Sequence, residues 1–372
     1  MKALEFYSGI GGLHLALSRS NVLASVTRAF DWDQNACDVY SANFGPGIAT
    51  RMDISTLTAS YLRSLEATLW LLSPACQPYT VLNPSAKGEL DSRAASFLHL
   101  VQDVLPELAR DNAHPTHFLV ENVGGFEISA TRWILVTTLH TLGYNISEFL
   151  LTPLQFGIPN SRLRYYLLAK RTPLAFRYLK TPGDGGALRL IPGHGNDTWI
   201  DRRLLDPENN SADEDVHEIR DYLDLESAGE STIPDKVLRK WGRLFDIVLP
   251  SSRRTCCFTR GYTHLVERSG SILQMNEDQD TGTVFDKFLQ SKASNESADA
   301  VRILDQLGLR YFSPEELLRL FSFTSSPSSG HPSDCSFRWP DGISRKTKYR
   351  LIGNSVNVKV VEELISYLFR EP

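Results

Sequence analysis

Over its first 170 residues the chain alternates short apolar runs with stretches of helical period, and this alternation restricts its fold more than any other feature. Leu4–Tyr7, Val26–Phe30, Leu69–Leu72, His117–Val120 and Tyr165–Ala169 read as strands. Leu13–Ser20, Asn35–Asn43, Ser96–Ala109 and Thr131–Leu142 read as helices. The third of these places Phe97, Val101, Val104, Leu105 and Leu108 on one face, and Gly143 stops the fourth. Strands that alternate with helices predict a parallel sheet with helical crossovers, an α/β class. In an open sheet of this kind ligands bind beyond the carboxyl ends of the strands. At 372 residues the chain has room for one large domain and a smaller one.

After residue 180 the pattern fails. Gly183-Asp184-Gly185-Gly186, Gly193–Asp197 and an acidic stretch read as a surface excursion over about 183–232, partly mobile. A smaller module follows from 236 to about 310, with strand-like Thr255–Thr259 and Gly270–Leu273. Ser313-Pro314-Glu315-Glu316 is a capping box that starts a helix over Glu315–Phe321. Ser325–Pro340 reads as loop, and Tyr349–Phe369 closes with Gly353-Asn354-Ser355 and an amphipathic helix. The expected division is 1–175 with 340–372 as the large domain and 176–339 as the small one. Net charge is −5, an unpromising balance for a nucleic-acid partner. Residues 201–230, however, hold eleven acids and three Arg, which leaves +3 on the rest of the chain. Basic residues gather at Lys236–Arg243, Arg253–Arg260 and Arg338–Lys359; scattered solvated charge is the competing account. No apolar run approaches the ~18–20 residues of a membrane span, and no signal peptide is visible. Five cysteines without metal-type spacing predict reduced thiols, no metal site and an intracellular protein.

Four groups of residues carry chemistry. Phe6-Tyr7-Ser8-Gly9-Ile10-Gly11-Gly12-Leu13 puts glycines at a strand-to-helix turn, where a ligand can approach the backbone. The spacing is not that of a dinucleotide site and better suits a carboxylate-bearing nucleotide such as S-adenosylmethionine. Asp31 ends the second strand, placed for ribose hydroxyls, and Trp32 could lie on adenine. The plainer account makes Asp31 a helix cap. Cys76 follows an apolar strand between two prolines, which aims its sulfur; a buried structural cysteine is the alternative. Glu121 follows the fourth strand and could protonate or hold a ring nitrogen, or merely cap a helix. Arg162 and Arg164 alternate in an extended segment, so both could face one ligand, or solvent.

Taken in order, Phe-x-Ser-Gly-x-Gly-Gly, Pro-x-Cys-Gln-Pro, Glu-Asn-Val, Arg-x-Arg and Gly-Asn-Ser-Val resemble the cytosine-C5 methyltransferase family over nearly the whole chain. Cys257-Phe258-Thr259-Arg260-Gly261-Tyr262, Phe156–Tyr165 and Arg310–Glu315 look like the branch that methylates cytosine 38 of aspartate tRNA. The resemblance implies a Rossmann-like S-adenosylmethionine-dependent fold with a mostly parallel sheet and a small target-recognition domain. It implies Cys76 as nucleophile, Glu121 as acid at N3, and Arg162 and Arg164 as substrate clamps. It implies a cofactor site at Phe6, Gly9, Ile10, Gly11, Gly12, Leu13, Asp31, Trp32, Asp53, Ile54, Asn354, Ser355 and Val356. S-adenosyl-L-methionine is then the donor and S-adenosyl-L-homocysteine the product. Candidate tRNA contacts are Gln77, Lys87, Arg93, Arg254, Cys257, Phe258, Thr259 and Tyr262, with a buried strand as the other account of Cys257-Phe258-Thr259. The implied partner is tRNA, with weaker DNA binding, no membrane, a monomeric state and a place in cytoplasm or nucleus. The same chemistry on DNA, and a silent nucleic-acid-binding homologue, are the competing readings.

Three features depart from the family pattern. Ala75 stands where the family usually has a second proline. The loop Val81–Lys87 carries little positive charge, and the helix Glu315–Phe321 runs into Ser/Pro-rich sequence.

Overall fold

The computed structural model describes residues 1–76, 79, 91–177, 186–194, 216–224, 231–265, 267–293, 300–325 and 337–372. Gln77, Lys87, the rest of the loop 81–87, most of the acidic excursion and residues 326–336 lie outside the described residues.

Seven strands form one sheet: β1 (Lys2–Phe6), β2 (Ser25–Asp31), β3 (Ala49–Arg51), β4 (Leu69–Leu72), β5 (His117–Val123), β6 (Tyr144–Leu151) and β7 (Arg164–Arg171). Their order is β3-β2-β1-β4-β5-β7-β6. The first five run parallel, and β7 lies antiparallel between β5 and β6. Alternate residues of the central strands feed two apolar layers. Ala3, Ala29, Leu69, Leu71 and Leu119 pack on one face, and Leu4, Phe6, Phe30, Trp70, Leu72, Phe118 and Val120 on the other. Both faces are covered, which is why β4 reads as an unbroken apolar run.

The helices begin and end on local chemistry. Asp33 caps Gln34–Phe44 by accepting the Asn35 N–H at 3.0 Å, and Gly45 at φ 96° ends it. Ser129 caps Ala130–Thr141 through the Arg132 N–H. The capping box read from the sequence forms as expected: the Ser313 hydroxyl accepts the Glu316 N–H and Glu316 accepts the Ser313 N–H, starting a helix over Pro314–Leu320.

Two sequence expectations need correction, and one strand was missed. β5 continues through Glu121, Asn122 and Val123, because these residues pair with Tyr166, Tyr165 and Arg164 of β7; Glu121 is in the strand, not after it. β6 escaped notice because Ser147 is buried and Glu148 faces Arg132 and Tyr165 instead of solvent, breaking the apolar pattern. Thr255–Thr259 forms no strand. Its amides go singly to the Pro159 carbonyl, the Ser271 hydroxyl and the Ser269 carbonyl.

The small module has its own cluster, including Ile233, Leu238, Ile272, Phe285, Phe288 and Leu304. It surrounds a sheet of β8 (Ile247–Val248), β9 (Ile272–Gln274) and β10 (Leu309–Arg310) in the order β10-β9-β8. Leu317, Leu318, Leu320, Phe321 and Phe323 pack instead into the main core, beside the closing helices Arg345–Gly353 and Val358–Leu368. Among the described residues no helix is long and apolar enough to cross a membrane.

Candidate active site

The parallel strands β1, β2, β4 and β5 deliver their carboxyl ends to one edge. Phe6 is level with Phe30 and Leu72, and Leu72 with Val120. Whatever follows those residues therefore shares that edge: Tyr7–Gly12, Asp31, Ser73–Cys76 and Glu121. Antiparallel β7 starts there as well, with Arg164 opposite Val123.

Glu121 is 6% exposed and held from two sides. The Ser73 hydroxyl donates to its Oε2 at 2.7 Å, and Arg164 Nε lies 3.4 Å from its Oε1. Asn122 Nδ2 donates to the Pro74 carbonyl at 3.2 Å, which pins the backbone two residues before Cys76. The Cys76 carbonyl accepts the Tyr79 N–H at 3.0 Å, and Tyr79 Oη donates to Thr131. The thiol is thus carried on a turn anchored at both ends. Burial pushes the Cys76 thiol up; Arg164 pulls it down, Glu121 pushes it up and Arg162 pulls it down, for a net rise. Ser73 and Asn122 were given no role from the sequence. Their signal was position: Ser73 is the first residue after a buried strand, and Asn122 follows the carboxylate.

Arg162 and Arg164 part company. Arg164 faces Glu121 and reaches Cys257 Sγ at 3.6 Å. Arg162 is 3% exposed and spends its donors inward, on the carbonyls of Phe258 (2.9 Å), Gly353 (3.3 Å) and Ser355 (2.6 Å) and on Cys257 Sγ (3.4 Å). Arg162 is therefore a buttress joining three chain segments, and its Nε is buried without a partner among the described residues. The extended alternation held, but the segment is covered by Phe258 and by the Gly353–Ser355 turn. Between the two guanidiniums the Cys257 thiol is drawn down: burial raises it, and Arg164 with Arg162 outweighs burial. The arrangement makes Cys257, not Cys76, the more readily ionised of the two sulfurs.

The glycine turn combines two functions. Gly9, at φ 53°, has nothing within 4 Å of where a Cβ would stand, and its N–H donates to Asp31 Oδ2 at 2.8 Å. Tyr7 at φ 58° is a non-glycine in the left-handed region at the end of β1. Gly11 and Gly12 serve packing instead. A Cβ at Gly11 would strike the Phe44 ring at 2.2 Å, and one at Gly12 would meet Val356 at 2.7 Å. Asp31 accepts the Gly9 and Asp33 N–H groups, one on each oxygen, and keeps further lone pairs. Trp32 is 74% exposed just beyond it, with its carbonyl held by Arg51 Nε. Open backbone, a carboxylate and a free aromatic face fit a nucleoside that carries an amino-acid group, as S-adenosylmethionine does.

Other expected cofactor residues are placed differently. The side chains of Phe6, Ile10, Leu13, Ile54 and Val356 are buried in the apolar clusters, so only their backbones could meet a ligand. Asp53 is exposed and caps Ile54–Thr56 by accepting the Ser55 N–H. Asn354 is exposed, and the Ser355 carbonyl accepts from Arg162. Glu5 on β1 is fully buried; Tyr40 Oη donates to it, and the His14 and Leu13 amides face it.

Among the nucleic-acid candidates, Phe258 and Tyr262 are buried and cannot touch RNA. Phe258 packs on Phe312, and the Tyr262 hydroxyl bridges the Ser271 carbonyl and the Phe312 N–H. Their aromatic pattern marked a core. Thr259 is half-buried and bonds Ser269. Arg254 is exposed, 3.8 Å from Asp246, and Arg93 forks onto Asp91 at 2.8 and 2.6 Å. The four described cysteines, Cys37, Cys76, Cys256 and Cys257, are free.

A family model described as C-5 cytosine-specific DNA methylase matches residues 1–370. A tRNA (cytosine(38)-C(5))-methyltransferase of Schizosaccharomyces pombe is 39% identical, covering 99% of this chain and 96% of its own. A DNA (cytosine-5)-methyltransferase of Dictyostelium discoideum is 34% identical, covering 99% and 94%. A crystal structure of a Spodoptera frugiperda DNMT2 mutant matches with TM-score 0.77 at 33% identity, covering 99% of each chain.

Proposed function

The chain belongs to the C-5 cytosine methyltransferase family, and we propose that it methylates C5 of cytosine 38 in the anticodon loop of tRNA-Asp through a covalent adduct with Cys76. The observation that carries this reading is the meeting of Cys76, Glu121 and Arg164 at one sheet edge, beside the open Gly9 turn. Similarity over 99% of this chain to tRNA enzymes of Schizosaccharomyces pombe, at 39% identity, and of Homo sapiens, at 34%, favours tRNA as substrate.

Gly9, Asp31 and Trp32 would hold S-adenosylmethionine, which supplies a methyl group activated by its sulfonium. The target cytosine leaves its stack, at a cost of a few kcal/mol, less in a loop than in a duplex. Cys76 adds as thiolate to C6, forming a C–S bond. Glu121 gives a proton to N3, so the ring's electron pair becomes available at C5. C5 would then take the methyl group that a donor held by Gly9, Asp31 and Trp32 supplies, the methyl–sulfonium bond breaking to a thioether as the C5–methyl bond forms. Water takes the C5 proton, the C6–S bond breaks, N3 returns its proton to Glu121, and Cys76 leaves as thiolate. Arg164 fixes the Glu121 carboxyl and lowers the cost of ionising Cys76.

Bisulfite sequencing of tRNA after incubation with enzyme and donor reads the product directly. Cys76→Ala should abolish methylation at position 38 while donor binding persists, and 5-fluorocytosine placed there should trap the wild-type enzyme as an adduct stable to denaturation. Methylation of duplex DNA with tRNA untouched would replace this substrate reading by the DNA one.

A further inference from the structure

Strand β2 ends at Asp31 and the chain runs on through Trp32 to Asp33, and each of these three residues is held from outside. The Met52 N–H donates to the Asp31 carbonyl at 2.8 Å and Arg51 Nε to the Trp32 carbonyl at 3.2 Å, both from β3 or the residue after it. The third holder comes from the other end of the chain. Arg350 Nη1 donates to Asp33 Oδ2 across 317 residues of sequence. Arg350 lies on the helix Arg345–Gly353, and its carbonyl accepts the Asn354 N–H at 3.2 Å, at the start of the turn Asn354-Ser355-Val356.

Asp33 is a junction. Its Oδ1 accepts the Asn35 N–H at 3.0 Å and caps the helix Gln34–Phe44. Its own N–H donates at 2.9 Å to Oδ1 of Asp31, the carboxylate placed for ribose hydroxyls. Oδ2 goes to Arg350. The Asp33 side chain is only 14% exposed, so this pair is shielded more than a surface one. Burial raises the Asp33 carboxyl, but Arg350 leads the groups that draw it below its ordinary value. Half-open ion pairs add little to stability. What this one fixes is the direction in which Asp33 offers its N–H to Asp31.

The same helix is grasped at its far end. Asn43 Nδ2 donates to the Arg338 carbonyl at 2.9 Å, and the Arg338 N–H donates to Asn43 Oδ1 at 2.8 Å. The next residue, Phe44, lies against Gly11, while Val356 lies against Gly12. The glycine turn is thus wedged between the end of this helix and the closing segment. The helix has its own cap in Asp33 and its own stop in Gly45, so neither clasp is needed to form it. The clasps set where the helix and the closing turn stand relative to each other.

We propose that Arg350 is a positioning residue for the methyl donor: acting through Asp33, it orients Asp31 toward the ribose and holds the Asn354–Val356 turn against the glycine turn. This rests on the donor site at Gly9, Asp31 and Trp32 proposed above. The ligand served is the nucleoside of the donor, because Asp31 is the group that the chain of bonds reaches. Cys76, Glu121 and Arg164 lie outside that chain of bonds, so the cytosine end of the reaction is untouched.

The variant R350Q of the full chain tests it, with its melting temperature measured first. Titration calorimetry with S-adenosylhomocysteine should show Kd raised about three- to tenfold, the size of coupling within one hydrogen-bonded network. KM for S-adenosylmethionine should rise by the same factor, with kcat at saturating donor and KM for tRNA within twofold of the wild type. R350K should lie nearer the wild type than R350Q. In D33A, where the acceptor is gone, adding R350Q should change Kd less than twofold. In the donor-free protein, amide hydrogen exchange over residues 31–35 should be faster in R350Q. A lower melting temperature with Kd unchanged would overturn the proposal and leave the pair a structural one. A loss that persists undiminished in D33A would overturn the route through Asp33. Unchanged exchange over 31–35 would overturn it as well, whatever the protein binds. Binding of S-adenosylhomocysteine by the wild type judges the donor site, whereas exchange in the donor-free protein judges the clasp.

Discussion

Arg164 Nε lies 3.4 Å from Glu121 Oε1, and the same guanidinium is the strongest influence holding the Cys76 thiol down against its burial. One cation therefore orients the acid and favours the nucleophile. Replacing it should raise the Cys76 thiol further, since burial then acts with less opposition. In Arg164→Gln the rising limb of log kcat/KM against pH should move to higher pH, with a loss of about 10–100-fold at neutral pH. Arg164→Lys should recover part of the shift. A loss of rate with the limb unmoved would show that the arginine acts only on binding.

Arg162 invites a different expectation. Its removal strands the carbonyls of Phe258, Gly353 and Ser355. Buried acceptors left without partners cost about 1–3 kcal/mol each, so Arg162→Ala should lower stability by roughly 3 kcal/mol or more. Denaturant melts check this. A variant of wild-type stability with a raised KM for RNA would return Arg162 to the role of clamp.

The reach of the sequence follows from which forces are local. β4 was plain because a strand covered on both faces must be apolar throughout, and the Pro314–Leu320 helix because its capping box lies within four residues. Cys76 and Glu121 come to one edge because the carboxyl ends of parallel β4 and β5 converge there, and Arg164 joins them as the first residue of antiparallel β7. β6 was not plain, since its buried Ser147 and its Glu148 are satisfied by partners that only the fold brings in. The inward contacts of Arg162 were hidden for the same reason: alternation gives the direction of a side chain but not what covers it. Phe258 and Tyr262 had the composition of a recognition motif and the position of a core. Gly11 and Gly12 are required by Phe44 and Val356, at the ends of separate segments.

Glu5 gives the protein a pH dependence. Its carboxyl is fully buried, and burial pushes it from 4.5 to about 8 despite the Tyr40 hydroxyl and the His14 and Leu13 amides. A carboxyl raised in the folded state favours folding while both states are protonated. The contribution is intact below about 4.5, is lost as pH rises toward 8, and stays lost above that. At ~1.4 kcal/mol per unit the whole loss is a few kcal/mol. Glu5→Gln should flatten this part of the stability–pH curve and leave the variant more stable than the wild type at pH 8. A Gln amide can donate to the Tyr40 oxygen while Tyr40 turns its proton to His14, 2.7 Å away. Equal pH dependence in the two proteins would mean that Glu5 is ionised at neutral pH.

The remaining expectation concerns the residue before the nucleophile. Ala75 stands between Pro74, whose carbonyl Asn122 holds at 3.2 Å, and Cys76, whose carbonyl closes a turn with Tyr79. The anchors lie on either side of Ala75, and no proline ring restricts its φ in the segment that aims the sulfur. A proline there would fix φ near −65° and remove one N–H. It would also narrow the unfolded ensemble, adding about 0.4–1 kcal/mol where the backbone accepts it. Preorganising the thiol acts on the chemical step and not on RNA binding, so Ala75→Pro should raise kcat about two- to tenfold with KM for tRNA unchanged. Single-turnover methylation separates the two. An unchanged rate constant in a variant of equal or greater stability would mean that Asn122 and the Tyr79 turn already fix the sulfur. A slower, less stable variant would mean that the backbone at 75 departs from the angle proline demands.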